Sequence, residues 1–279
     1  MSLAKIFFII IFIILIYKFN DIPWDTSKNS KERCGFRYKS FYEKNYYKKY
    51  LLSKQESGFK IVKILNKKNS ENIVVFSLYG KNPRYYKFID YQISLKNKFN
   101  GKWTIRLYCG TDVPEKFIKI LLKKDVEIYM VDDPICKPGK SSGMFWRYLP
   151  LIENVNCIIL DMDSEHKFNT FANLVNNVNY FMKSKYLFYR YRSTPWPENH
   201  IMGGLIFKKK ELKINMKEKF ITHFPVRSNF GADELFLSYF IYPKVKNYTK
   251  TNTCFLNYYL IPKNIVFCMF KKYISIMIN

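Results

Sequence analysis

Acidic side chains are scarce in this chain of 279 residues: 22 Asp and Glu stand against 47 Lys and Arg, a formal charge of +25 at pH 7. Each carboxylate in an apolar setting is therefore conspicuous. Histidine is scarcer, with only His166, His200 and His223, and all three read as surface or loop residues. The six cysteines (Cys34, Cys109, Cys136, Cys157, Cys254 and Cys268) include no Cys-x-x-Cys pair and have no neighbouring histidines at ligand spacing, which argues against zinc. Their even number permits disulfides in an oxidising compartment, while Cys109 and Cys157 fall in strand-like runs and equally suit buried thiols. The basic excess has no Arg-rich tract and no helix with one basic face. Its lysines are scattered among Asn, Ile, Tyr and Phe, as AT-rich codons would produce, so no nucleic-acid partner is expected. The field would nonetheless attract an anionic nucleotide. No internal repeat is visible.

One long apolar run is present. Residues 6–17 are twelve apolar residues without interruption, and 3–19 make seventeen with Lys5 and Lys18 near the ends, at the short limit for a membrane span. No small residues follow it as a cleavage site would require, so residues 1–20 read as an uncleaved signal anchor. Basic residues on both sides leave its orientation open. Residues 21–70, rich in Lys, Ser, Asn and Tyr, read as a stem with one helix near 41–52. The texture changes at Asn72, and 71–279 read as one catalytic domain; 48% hydrophobic residues are enough for its core. Asn247-Tyr248-Thr249 is a glycosylation acceptor triplet for a lumenal domain.

From there the pattern alternates. Apolar runs at 73–79, 103–109, 126–131 and 157–160 read as buried strands, with helices expected from Pro83, from Glu115 to Lys124 behind a capping-box spacing at Asp112, and over 169–183. Strands are also expected at 186–191 and 201–207, and a last helix near Gly231. Such alternation predicts an α/β fold with a mainly parallel sheet covered on both faces. The run Cys157-Ile158-Ile159-Leu160 ends in Asp161-Met162-Asp163, a buried-type strand delivering two carboxylates to its tip. Ligands bind beyond the carboxyl ends of such strands, and paired hard oxygens suit Mg²⁺ or Mn²⁺ on a diphosphate.

Several segments in order resemble the GT-A-type glycosyltransferases with an Asp-x-Asp motif found in eukaryotes and large DNA viruses. The likeness runs over most of 71–250: Phe76-Ser77-Leu78-Tyr79-Gly80, Trp103 before Arg106-Leu107-Tyr108, Ser142-Gly143-Met144-Phe145-Trp146-Arg147-Tyr148-Leu149-Pro150, Asp161-Met162-Asp163-Ser164, Ile201-Met202-Gly203-Gly204, and Gly231-Ala232-Asp233 with Phe236-Leu237. It implies a Rossmann-like GT-A domain behind a membrane anchor, lodged in the endomembrane system (Golgi or ER). The activity implied is transfer from a nucleotide-diphosphate sugar to a glycan or protein hydroxyl, with Mn²⁺ or Mg²⁺. Asp161 and Asp163 would hold the cation, Phe76 and Tyr79 would border the nucleotide, and Arg147 would stand near the phosphates. Gly203 and Gly204 would admit sugar or acceptor close to the backbone, with a bulge or tight turn as the alternative. Asp233 or Glu234 would orient the acceptor or serve as base, unless they merely cap a helix.

The chain also departs from its relatives. It has Asn173-Leu174 where they carry Arg-Glu, Arg192-Ser193-Thr194-Pro195 where they carry Arg-Asp-His-Pro, and no histidine over 243–254. A catalytically degenerate relative that keeps the fold as a binding or scaffold protein is therefore the alternative.

Overall fold

The structure is a computed structural model. It describes residues 56–255 apart from 82, 87, 137–141, 163–170, 195–197, 217, 225 and 230. The apolar run at 3–19, the helix expected at 41–52, and Asp163 lie outside the described residues. Among the described residues no helix is long and apolar enough to cross a membrane.

Runs of β-branched and aromatic residues build the centre of an eight-stranded sheet. β1 (Lys60–Leu65), β2 (Asn72–Leu78), β3 (Thr104–Gly110), β4 (Val126–Asp132), β5 (Asn156–Leu160), β6 (Phe188–Thr194), β7 (Leu205–Lys208) and β8 (Thr249–Phe255) lie in the order β1-β4-β3-β2-β5-β7-β6-β8. Every residue of β3, β5 and β7 is buried, as a strand covered on both faces must be. Alternation along β2 divides the core. Ile73 and Val75 point to one face, packing with Phe145, Trp146, Tyr148 and Phe236, whereas Val74, Phe76 and Leu78 point to the other with Leu107, Leu174 and Phe181.

Helices fill both layers: α1 (Pro83–Tyr86), α2 (Ile89–Lys96), α3 (Glu115–Leu122), α4 (Phe171–Lys183), α5 (Glu218–Thr222), α6 (Ala232–Phe236) and α7 (Tyr242–Val245). A 3₁₀ helix covers Ser142–Ile152, and a π turn, Leu237–Ile241, joins α6 to α7.

The sheet is mixed rather than mainly parallel. β4, β3, β2 and β5 pair in parallel, as do β6 and β8, but β1 runs antiparallel to β4, and β7 antiparallel to both β5 and β6. Parallel neighbours need a crossover of a dozen or more residues, and the ten residues from 195 to 204 are too few. Residues 60–65, read from the sequence as stem, form β1; Lys-Ile-Val-Lys-Ile-Leu lacks clean alternation, and Val62 and Ile64 stay 49% and 40% exposed on this edge strand. The expected strand at 201–207 starts only at Leu205. Asp112 does not cap α3. Its Oδ2 accepts the Gly80 N–H at 2.8 Å, and Pro114 holds the cap position with no side-chain hydrogen bond.

Candidate active site

At the carboxyl end of β5 the chain leaves the sheet at Asp161. Beside it ends β2, whose Ser77 Oγ accepts the backbone N–H of Arg147 at 3.2 Å. That bond pins the 3₁₀ helix across the strand ends. The helix can lie so close only because residue 143 is glycine, since a Cβ there would strike the Tyr79 ring. Tyr79 in turn stands edge-on to Trp146 at 5.7 Å between centroids. Burial pushes the Tyr79 phenol well above its ordinary pKa, although nearby Arg147 pulls the other way.

Arg147 is the hub. Its side chain is only 4% exposed. Nη1 donates to Asp161 Oδ1; Nη2 lies 3.3 Å from Asp233 Oδ2 and 3.2 Å from Tyr148 Oη. Burial alone would lower its pKa, but Asp161, then Tyr148 and Asp233, hold it above the usual guanidinium value, so it stays charged. Its Nε is buried without a hydrogen-bond partner among the described residues. The Tyr148 hydroxyl lies 2.9 Å from Asp233 Oδ2 and 3.1 Å from the Gly203 carbonyl oxygen. An arginine, a tyrosine and two carboxylates, from β5, the 3₁₀ helix and α6, thus meet at one end of the sheet.

Asp233 is the more deeply buried acid, at 3% exposure against 23% for Asp161. Burial raises its pKa, with Arg147 opposing and Glu234 adding to the rise. Gly203 and Gly204 are explained by these acids. A Cβ at Gly203 would lie 2.6 Å from both Asp233 Oδ2 and Tyr148 Oη, and one at Gly204 would strike the Asp161 carboxylate. Both glycines sit in a turn just before β7. Gly231, at φ +81°, supplies the left-handed residue from which α6 starts.

Glu234 turns away from that hub. Its Oε2 lies 3.0 Å from Nε2 of His200, which is fully buried. Of the sequence reading of His200 as a surface or loop residue, the loop holds and the surface does not, since the side chain is fully buried; His223 is exposed as expected. Phe76 is also fully buried, within the layer that holds Val74 and Leu78, where it packs the core. Cys109 and Cys157 are buried free thiols, and burial raises both, Cys157 to about 12. Sequence reasoning missed Tyr148 and His200. Tyr148 lies in the run Ser142 to Pro150, but nothing in its spacing announces a buried acid at its hydroxyl, and His200 follows a Pro-rich loop with no periodicity to place it.

Of the expected cation ligands, Asp163 lies outside the described residues. Asp161 offers hard carboxylate oxygens at a partly exposed strand tip, which suits Mg²⁺ or Mn²⁺, though Oδ1 is already engaged by Arg147. Among the described residues no group of three His, Cys, Asp or Glu could hold a metal ion.

No protein-family model matches the sequence, and no curated protein matches it. Among solved structures, a mannosyltransferase from Pyrobaculum calidifontis in complex with GDP-Man and Mn²⁺ is similar over 84% of this chain and 68% of its own, at 12% identity and a TM-score of 0.40. So slight a likeness assigns no activity, and the reading of the site rests on Asp161, Arg147, Tyr148 and Asp233.

Proposed function

We propose that this chain is a glycosyltransferase of the GT-A kind, taking a nucleotide-diphosphate sugar as donor and a glycan or protein hydroxyl as acceptor. The observation that carries the reading is the Arg147 hub, a buried guanidinium between Asp161 and Asp233 at the carboxyl ends of β2 and β5. A guanidinium fork suits diphosphate oxygens, and phosphate can exchange for carboxylate at little geometric cost. Arg147 would orient the donor, Tyr148 would keep it aligned with Asp233, and Glu234, the more exposed acid of α6, would face the acceptor. A bound divalent cation, held by Asp161 and Asp163, would supply charge stabilisation to the departing diphosphate. In the same proposal residues 1–20 anchor the chain in an endomembrane such as Golgi or ER, and the residues before β1 act as stem.

The test is a panel of labelled nucleotide sugars with Mn²⁺ and the purified chain. Slow donor hydrolysis is expected, lost in Asp161→Ala and in Asp163→Ala; a chain that neither hydrolyses any donor nor gains thermal stability from a nucleoside diphosphate sinks the proposal. The engagement of Asp161 Oδ1 by Arg147 favours one second reading, a degenerate relative that binds nucleotide without turnover. That protein would show stabilisation of about 2.7 kcal/mol at a hundred times Kd, and no hydrolysis.

A further inference from the structure

Two adjacent carboxylates open α6, and the chain treats them differently. Asp233 is shut in at 3% exposure, with Arg147 and Tyr148 on its Oδ2. Glu234 is 15% exposed and meets His200 instead. His200 is 0% exposed, so of the pair it is the glutamate that a substrate can reach.

His200 is fixed from several directions. Its backbone carbonyl accepts from Arg190 Nη1 at 2.8 Å, and Arg190 is itself held by Thr251 Oγ1 at 2.9 Å and lies 3.9 Å over the Tyr242 ring. The next residue, Ile201, donates its N–H to Ser238 Oγ at 3.2 Å. Ser238 Oγ donates to the Glu234 carbonyl at 2.6 Å, and Asn199 Nδ2 reaches the Ser238 carbonyl at 3.3 Å. The histidine loop and the glutamate's own helix are therefore laced together around Ser238. There the helix widens into the π turn Leu237–Ile241, a distortion frequent at functional sites.

We infer that His200 is the positioning residue of Glu234, the imidazole holding toward the acceptor the carboxylate that the resemblance implies as base, while Asp233 serves Arg147. The inference rests on the transferase reading. In the step it describes, the acceptor O–H gives its proton to the Glu234 carboxylate as the oxygen bonds to the anomeric carbon. The bond from that carbon to the donor's phosphate oxygen breaks, its electron pair leaves with the nucleoside diphosphate, and the anomeric configuration inverts. Water as acceptor follows the same course.

The experiment measures donor hydrolysis by the full chain, with nucleoside diphosphate binding followed separately by calorimetry. Glu234→Gln should lower kcat by about 10² to 10⁴-fold, with diphosphate affinity unchanged. His200→Phe, which keeps a ring and loses the donor, should lower kcat on the order of 10²-fold through misplacement. His200→Gln, whose amide nitrogen stands close to the place of Nε2, should restore most of it. The double variant Glu234→Gln with His200→Phe should be no slower than Glu234→Gln alone, because the histidine acts through the glutamate. A purely structural histidine would instead lower stability and diphosphate binding together, in Gln and Phe variants alike. The inference is overturned by variants that turn over like the parent, by losses that multiply in the double variant, or by a retained anomer in the first sugar released. A parent that binds diphosphate and hydrolyses nothing removes the catalytic role while leaving donor binding intact. A parent that does neither overturns the transferase reading itself.

Discussion

At the scale of single residues the site is a problem in charge. One guanidinium faces two carboxylates under heavy burial, and the position of each acid depends on a missing side chain at Gly203 or Gly204. Gly204→Ala puts a methyl where the Asp161 carboxylate stands. Because the obstructing atoms are the end of one side chain, Asp161 can swing aside at a cost of about 1–3 kcal/mol, and the fold should survive. The expected outcome in a calorimetric titration is that the variant still binds a nucleoside diphosphate without metal but loses the gain that Mn²⁺ gives the parent. Asp233 makes a separate prediction. Its carboxyl titrates higher in the folded chain than in the unfolded one, since burial outweighs Arg147. Its contribution to stability is thus fully present below the unfolded value and lost as pH rises through the folded value. Asp233→Asn removes that dependence while keeping an oxygen near Tyr148. In urea unfolding the stability of the variant relative to the parent should therefore improve as pH rises above about 4, the ordinary carboxyl value; a relative decline would mean that the pair with Arg147, not burial, governs this acid.

Among elements, the 3₁₀ helix that carries Arg147 is held from behind. Asp133, just past β4, accepts from Trp146 Nε1 at 2.9 Å and from Arg227 Nη1 at 2.7 Å, with both charged side chains wholly buried. Arg227 also donates to the Ser57 carbonyl and lies 4.9 Å over the Phe59 ring, tying the segment before β1 to the same point. Asp133→Ala strands a buried guanidinium and should cost about 3–5 kcal/mol in urea unfolding. Removing both charges, with Arg227→Met added, should cost less than Asp133→Ala alone, and a sum of independent losses would contradict the coupling. The central strands were legible in the sequence because β2, β3, β4 and β5 are covered on both faces and so read as continuous apolar runs, matched to within a residue or two. The edges were not. β1 mixes Lys with Ile and Val, and β8 reads Thr-Lys-Thr-Asn-Thr, so neither shows the period that burial imposes. Asp161 was legible because a carboxylate after four apolar residues is rare in so basic a chain. His200 was not, because its environment comes from Arg190 on β6 and Ser238 on the π turn, and no local spacing encodes such a meeting.

For the molecule as a whole, two kinds of positive charge have different consequences. The formal +25 is spread over many lysines, whereas Arg147 is a single buried cation at the site. Scattered exposed charge acts over a Debye length of about 10 Å at 0.1 M salt and speeds the arrival of an anion without fixing its pose. A buried fork acts after arrival, by resisting departure. Stopped-flow measurement of nucleoside diphosphate binding separates them. Raising salt from about 0.05 M to about 0.5 M should slow association several-fold and leave dissociation nearly constant, as screening of a surface field requires. Arg147→Met should do the reverse, speeding dissociation on the order of tenfold or more while the salt dependence of association persists. If Arg147→Met instead abolished the salt dependence and left dissociation unchanged, the guanidinium would be one more steering charge, and the contacts from Asp161 and Asp233 would be there to fold the chain rather than to hold a donor in wait.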